Sequence, residues 1–306
     1  MKPDEITESQ ERLWRLGAAL APVSQLAAGC TWMEASAAVL LACLMQILLK
    51  SGKGKEKTSR SLAAVRRLLS AAGIISGMRL LNRYSPETGN PWVPIILLIL
   101  AAVTVRREKK GSIQGGIILL WLNGILFAAI LLSGITEIRW KNLAWEEIGF
   151  KWETACDLLG ALLISGTGRP ISGEKEPQIS RLPWKALGAG AILWGLCGQG
   201  ILSAQIQRSV LDPLYEINRS TRLLGTLKRF ESLSILAVML GYYQWMVFLL
   251  TIGENSKDNN EGKAGDWITV GLSILFYRFG GNIPLGMAAV TVAALEYGIN
   301  KLLKEK

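Results

Sequence analysis

IQGGIILLWLNGILFAAILLSGI, running from Ile113 to Ile135, is 23 consecutive residues without a charged side chain. As a helix rising 1.5 Å per residue it reaches about 34 Å, enough to cross the roughly 30 Å of hydrocarbon in a bilayer. Ser232 to Ile252 reads the same way. Working outward from these two, apolar stretches recur along the chain and nearly all the charge falls between them. The pattern predicts spans at about 16–30, 32–49, 62–81, 91–105, 113–135, 147–165, 183–205, 231–252, 267–280 and 282–300, ten in all. The expected fold class is an all-α integral membrane protein forming a single polytopic domain over residues 1–306. It carries a short polar N-terminal segment (1–12), a basic cytoplasmic loop (50–61) and an external amphipathic segment (205–230).

Composition agrees. Half of the 306 residues are hydrophobic and the mean hydropathy is +0.30, although the chain has 34 basic and 24 acidic residues. The net charge of +10 is distributed over loops between apolar spans, a pattern explained by membrane topology and anionic lipid; no nucleic-acid partner is expected. The first dozen residues are polar and of mixed charge, so insertion is expected to rely on the spans and not on a cleaved leader.

Lys and Arg set the orientation. Lys50, Lys53, Lys55, Lys57 and Arg60 fall between spans two and three, and Arg106, Arg107, Lys109 and Lys110 between four and five. Arg169, Lys175, Arg181 and Lys185 follow span six, and Lys301, Lys304 and Lys306 close the chain. These mark the cytoplasmic side, with both termini inside. The segment 205–230 is expected outside despite its basic residues. Leu214, Ile217, Leu223, Leu224 and Leu227 punctuate it at irregular helical spacing, which predicts a short amphipathic hairpin on the external face.

The chain has no histidine, which removes Ser-His-Asp, Cys-His and HExxH chemistry. Gly52 to Thr58 has the composition of a phosphate loop but not its spacing. Cys30, Cys43, Cys156 and Cys197 form no CxxC pair and read as free thiols. No enzymatic activity, cofactor or metal is expected. Trp32, Trp92, Trp140, Trp145, Trp184 and Trp267 lie near span ends, where indoles anchor at the headgroup level. Gly188, Gly190, Gly195, Gly198 and Gly200 of span seven permit close helix approach.

Two stretches resemble a known family. Leu211-Asp212-Pro213-Leu214-Tyr215-Glu216-Ile217 through Lys228-Arg229-Phe230-Glu231-Ser232, followed by span eight, is similar to the proline-led external segment and acidic turn motif of endospore germination permeases. These are the B subunits of GerA-type nutrient receptors, within the amino acid/polyamine/organocation superfamily. Pro91-Trp92-Val93-Pro94 through Arg107, span five, and Ile138-Arg139-Trp140-Lys141-Asn142-Leu143 resemble the family's fourth and fifth spans and the segment after them. Lys228 replaces the first acidic residue of the turn motif, and the stretch from Ser51 to Pro91 is shorter than in the family.

The resemblance implies two inverted repeats of five helices, with substrate near the midplane between broken helices one and six. In span one the implied ligand contacts are Pro22, Ser24, Gln25 and Gly29, since proline removes a backbone donor and glycine eases unwinding. In span six they are Thr154 and Asp157, the latter the most inward acidic residue and the first choice for a ligand or coupling role. Span eight adds Tyr242 and Gln244, for which hydrogen bonding between helices is the competing role.

The implied function is a membrane subunit of a spore germinant receptor that senses a small nutrient, an amino acid foremost. Its partners would be a large membrane subunit, a lipoprotein and the lipid bilayer, in the bacterial cell or inner spore membrane. Two alternatives stay open: a proton- or sodium-coupled amino acid or polyamine transporter, and a structural membrane scaffold that binds no ligand.

Overall fold

The structure, a computed structural model, describes residues 8–51, 60–84, 90–107, 109–143, 149–166, 181–220, 230–253 and 259–280, with Ala288 and Thr291. Among them are eleven α-helices, one 3-10 turn and no strand. They are α1 (Glu8–Gly29), α2 (Trp32–Ser51), α3 (Arg60–Tyr84), α4 (Trp92–Arg107), α5 (Lys109–Thr136), the turn Trp140–Leu143, α6 (Trp152–Gly166), α7 (Arg181–Leu202), α8 (Ala204–Ser209), α9 (Pro213–Ser220), α10 (Phe230–Gly253) and α11 (Asn259–Phe279). The first nine expected spans correspond to α1–α7, α10 and α11. The expected tenth span apart from Ala288 and Thr291, most of the 50–61 loop, and the basic residues Arg169, Lys175, Lys301, Lys304 and Lys306 lie outside the described residues.

Among the described residues three helices are long and apolar enough to cross a membrane: α5 over Ile113–Thr136, α7 over Lys185–Leu202 and α10 over Ser234–Thr251. Shorter apolar helices are Trp32–Ile47, Trp92–Arg106 and Trp267–Phe279. The side chains are distributed as in a protein whose solvent is hydrocarbon. Leu44, Ile96, Ile118, Trp121, Ile125, Leu132, Leu193 and Leu275 face outward, while Gln25, Glu34, Asn123, Gln199, Gln207, Asp212 and Gln244 are buried. In water this surface would be an extensive apolar patch; in lipid it is the favoured exterior. Trp92 and Trp140 are exposed at or beside helix ends, and Trp267 is exposed within α11; Trp145 and the side chain of Trp184 lie outside what is described.

α1 is the central helix, packed against α5, α6, α7, α9 and α10. Its alanines make this possible: Ala18, Ala19, Ala21, Ala27 and Ala28 are buried, and facing glycines supply the complementary gaps. A Cβ on Gly198 of α7 would lie 2.6 Å from the Ala28 carbonyl oxygen, and one on Gly17 would lie 2.8 Å from Leu120 Cβ of α5. A Cβ on Gly241 of α10 would collide with Ala21. Such close approach gains dispersion contacts where burial of apolar area gains nothing over lipid.

α1 runs through Pro22 as one helix, and α6 is likewise continuous from Trp152 to Gly166. The chain instead breaks after Gly29, at Cys30 and Thr31, before turning into α2. Pro22 is buried among neighbouring helices, and packing of this kind lets a helix tolerate the donor that proline lacks.

Candidate functional site: a polar interior at one end of the bundle

The connections after α1, α5 and α7 meet at one end of the bundle, joined by the last residue of α3. Thr31 and Glu34 form a capping box for α2: the Glu34 N–H donates to Thr31 Oγ1 (3.3 Å) and the Thr31 N–H to Glu34 Oε2 (2.9 Å). The other Glu34 oxygen accepts from the Lys151 N–H (2.7 Å) and from Arg208 Nη2 (2.8 Å), and Arg208 also bonds the Gly149 carbonyl. Glu34 is thus a buried carboxylate with its charge compensated and both oxygens bonded, the condition under which a buried ion pair persists.

Gln199 extends the network. Its oxygen accepts from the Trp32 N–H and its amide donates to the Asn142 carbonyl (2.9 Å), while the Asn142 side chain donates to the Gly200 carbonyl (3.0 Å). Gln207 donates to the carbonyls of both Ala28 (2.6 Å) and Cys30 (2.8 Å), covering acceptors that the end of α1 leaves open. Ser203, in the left-handed region at φ 65°, makes the sharp turn that folds α8 back from α7 onto this corner.

Beside this corner lies a second row. Asp212 caps α9: its Oδ1 accepts from the Tyr215 N–H (3.0 Å) and Pro213 occupies the first helical position, where no N–H is needed. Its other oxygen accepts from the Gln25 amide, whose nitrogen also donates to the Leu80 carbonyl of α3 (3.0 Å). The Tyr242 hydroxyl of α10 donates to Gln25 Oε1. Next to them, Asn218 of α9 donates to the Tyr84 hydroxyl (2.7 Å), and that hydroxyl donates to Ser234 Oγ (3.3 Å). Four elements, α1, α3, α9 and α10, therefore meet through polar side chains inside an apolar bundle. Asp212 is 4% exposed, and among the described residues no Lys or Arg forms an ion pair with it. Burial pushes its carboxyl up to about 6, against the opposing pull of the N–H groups of Tyr215 and Leu214, the Gln25 amide and the charge of Arg83.

The expected site residues fall into three places. Gln25 and Tyr242 meet directly, with Ser24 buried next to Gln25 on α1. Gly29, Thr154 and Asp157 belong to the surroundings of the α1–α2 corner. A Cβ on Gly29 would lie 3.8 Å from Pro213 Cγ, the Thr154 carbonyl faces Cys30 Sγ at 3.5 Å, and half-buried Asp157 contributes to the electrostatics of Cys30. Pro22 is a buried interior residue of α1. Gln244 points elsewhere, toward Trp14 and Gly116 where α1, α5 and α10 meet.

Sequence reasoning did not assign Asp212, Glu34 or Gln207 to the site. Two of them carried a local signal: Thr31 to Glu34 has capping-box spacing, and Asp212-Pro213 is a helix start. The segment expected to lie on the external face as a hairpin folds, over its described part, as α8 and α9. Leu214 and Ile217 are fully buried there, and α9 packs against α1, α7 and α10. All four cysteines are free; Cys30 and Cys197 are buried and Cys43 is exposed. Among the described residues no cluster of three or more metal-ligating side chains occurs. No family model matches the chain, and no curated protein matches it.

Proposed function

We propose that this chain is a multi-pass membrane subunit of a spore nutrient receptor, built like a germination permease. In this reading it has ten spans in two inverted five-helix repeats, both termini in the cytoplasm, and senses a small nutrient such as an amino acid. It works with a large membrane subunit and a lipoprotein. The observation that carries the reading is the row Tyr242–Gln25–Asp212, a set of directional donors and acceptors gathered around the central helix of a bundle whose exterior is apolar. Polar groups inside membrane bundles are costly and mark ligand or ion pathways. Supporting it are the packing of α1 against α6 and the local resemblance around Leu211–Ser232. A bound nutrient would act by favouring one arrangement of the bundle over another and passing that bias to the partner subunits.

The test is thermal stability of the protein purified in detergent, across amino acids, sugars and nucleosides. A ligand that binds only the folded state adds about 2.7 kcal/mol at a hundredfold excess over its Kd. We expect one chemical class to raise the melting temperature of the wild type and not of Gln25→Leu, with Asp157→Asn compared in parallel. If nothing stabilises well-folded protein, the chain is a scaffold. Uptake into proteoliposomes divides the remaining possibilities, because a coupled transporter accumulates the stabilising compound and a receptor does not.

A further inference from the structure

The chain of hydrogen bonds through Gln25 has a direction, and the direction is fixed by charge on Asp212. With the carboxylate ionised, Tyr242 O–H donates to Gln25 Oε1, and Gln25 Nε2 donates to Asp212 Oδ2 and to the Leu80 carbonyl. A proton on Oδ2 turns that oxygen into a donor facing another donor. One resolution is rotation of the Gln25 amide by half a turn. Its oxygen then accepts from Asp212 O–H and faces the Leu80 carbonyl, which loses its donor and must draw away, while its nitrogen donates to the Tyr242 oxygen and the Tyr242 O–H turns away from Gln25. One proton is taken up, no covalent bond other than the new O–H is made or broken, and no volume is added.

We propose that Asp212 is a proton-binding site, and that Gln25 relays its occupancy from α9 to α3 and α10 by reversing the direction of this hydrogen-bonded chain. A proton suits the site because Asp212 is buried and its oxygens meet N–H donors and no cationic side chain among the described residues. Among the described residues the surrounding titratable groups are few. α3 presents Arg83 and Tyr84, α9 presents Tyr215 and α10 presents Tyr242. α1 and α7 bring no titratable group into the electrostatics of this carboxyl. Asp212 lies between α7 and α10 and not within either apolar span, and burial places its titration near pH 6. The proposal stands apart from the identity of any nutrient, since a scaffold or a transporter would carry the same relay.

Infrared difference spectroscopy of the purified protein between pH 4.5 and 7.5 reads the proton directly. Against the other carboxyls, which lose their protons around pH 4, a separate carboxylic-acid C=O component with a midpoint near 6 is expected, missing from Asp212→Asn and kept in Asp157→Asn. Aspartate labelled with carbon-13 provides a test in the wild type should Asp212→Asn fail to fold, because the band must shift with the label. A band missing from the wild type, unmoved by the label or retained in Asp212→Asn overturns the site. The relay is read in tyrosine ring modes by ultraviolet resonance Raman, which distinguish a donating from an accepting hydroxyl. The pH-dependent change should disappear in Tyr242→Phe and in Gln25→Leu, and its survival in Gln25→Leu overturns the relay. Stability gives a third reading. A carboxyl raised in the folded state contributes fully below its unfolded value of about 4 and loses that contribution as pH rises through its folded value. The melting temperature of the wild type relative to Asp212→Asn should therefore fall between pH 4.5 and 6.5.

Discussion

α1 and α5 pack side by side and are opposites. In α5 the apolar stretch Ile113–Thr136 is only 28% buried inside the protein. α1 carries Glu11, Arg12, Arg15 and Gln25, is not among the helices apolar enough to span by composition, and yet occupies the centre. Hydropathy in this chain does not decide which helix forms the core: of the apolar helices, α5 faces outward while the Ser234–Thr251 stretch of α10 is 67% buried. This follows when the solvent is hydrocarbon: leucine gains nothing by leaving lipid, so small residues and hydrogen bonds decide which helices sit inside.

The contrast can be broken most severely at the polar end of α1. Glu34→Ala leaves Arg208 facing a buried site without its counterion, and a loss of about 3 to 5 kcal/mol is expected, measured by thermal unfolding in detergent. Retention of wild-type stability would mean that the α1–α2 corner is held by something other than this ion pair. The outward face of α5 offers the complementary cut. Ile125→Arg places a cation on a face that is free of protein contacts, and membrane insertion should become less favourable by about 2.5 to 3.5 kcal/mol in an insertion assay. On a protein surrounded by water the same change would be harmless. The finest comparison sets two glycines against each other. Gly198→Leu drives a side chain into the Ala28 carbonyl and should cost about 1 to 3 kcal/mol. Gly124→Leu on α5, where a Cβ meets nothing within 4 Å, should change the melting temperature little.

α5 and α10 were legible because a long uncharged run admits one reading. The centrality of α1 was not, since its alanines matter only through the glycines opposite them: Gly241 follows Ala21 in the chain by more than two hundred residues. Gln25 and Tyr242 stood out as polar residues within spans, and they do meet. Asp212 did not stand out, because in sequence it belongs to a polar connection, and only the fold carries that connection into the interior. Asp157 drew attention for the opposite reason. Its place inside an apolar stretch suggested depth, whereas on α6 it is half-buried near the corner where the helix begins.

The two hydrogen bonds from Gln207 to the end of α1 also have a consequence for biosynthesis. Ala28 and Gln207 are 179 residues apart. At roughly 5 to 20 residues per second the ribosome needs about 10 to 35 s to make that interval. During that time the carbonyls of Ala28 and Cys30 wait without the Gln207 amide. The end of α1 is finished only when α8 arrives, and its polar contact with α10 through Tyr242 forms later still.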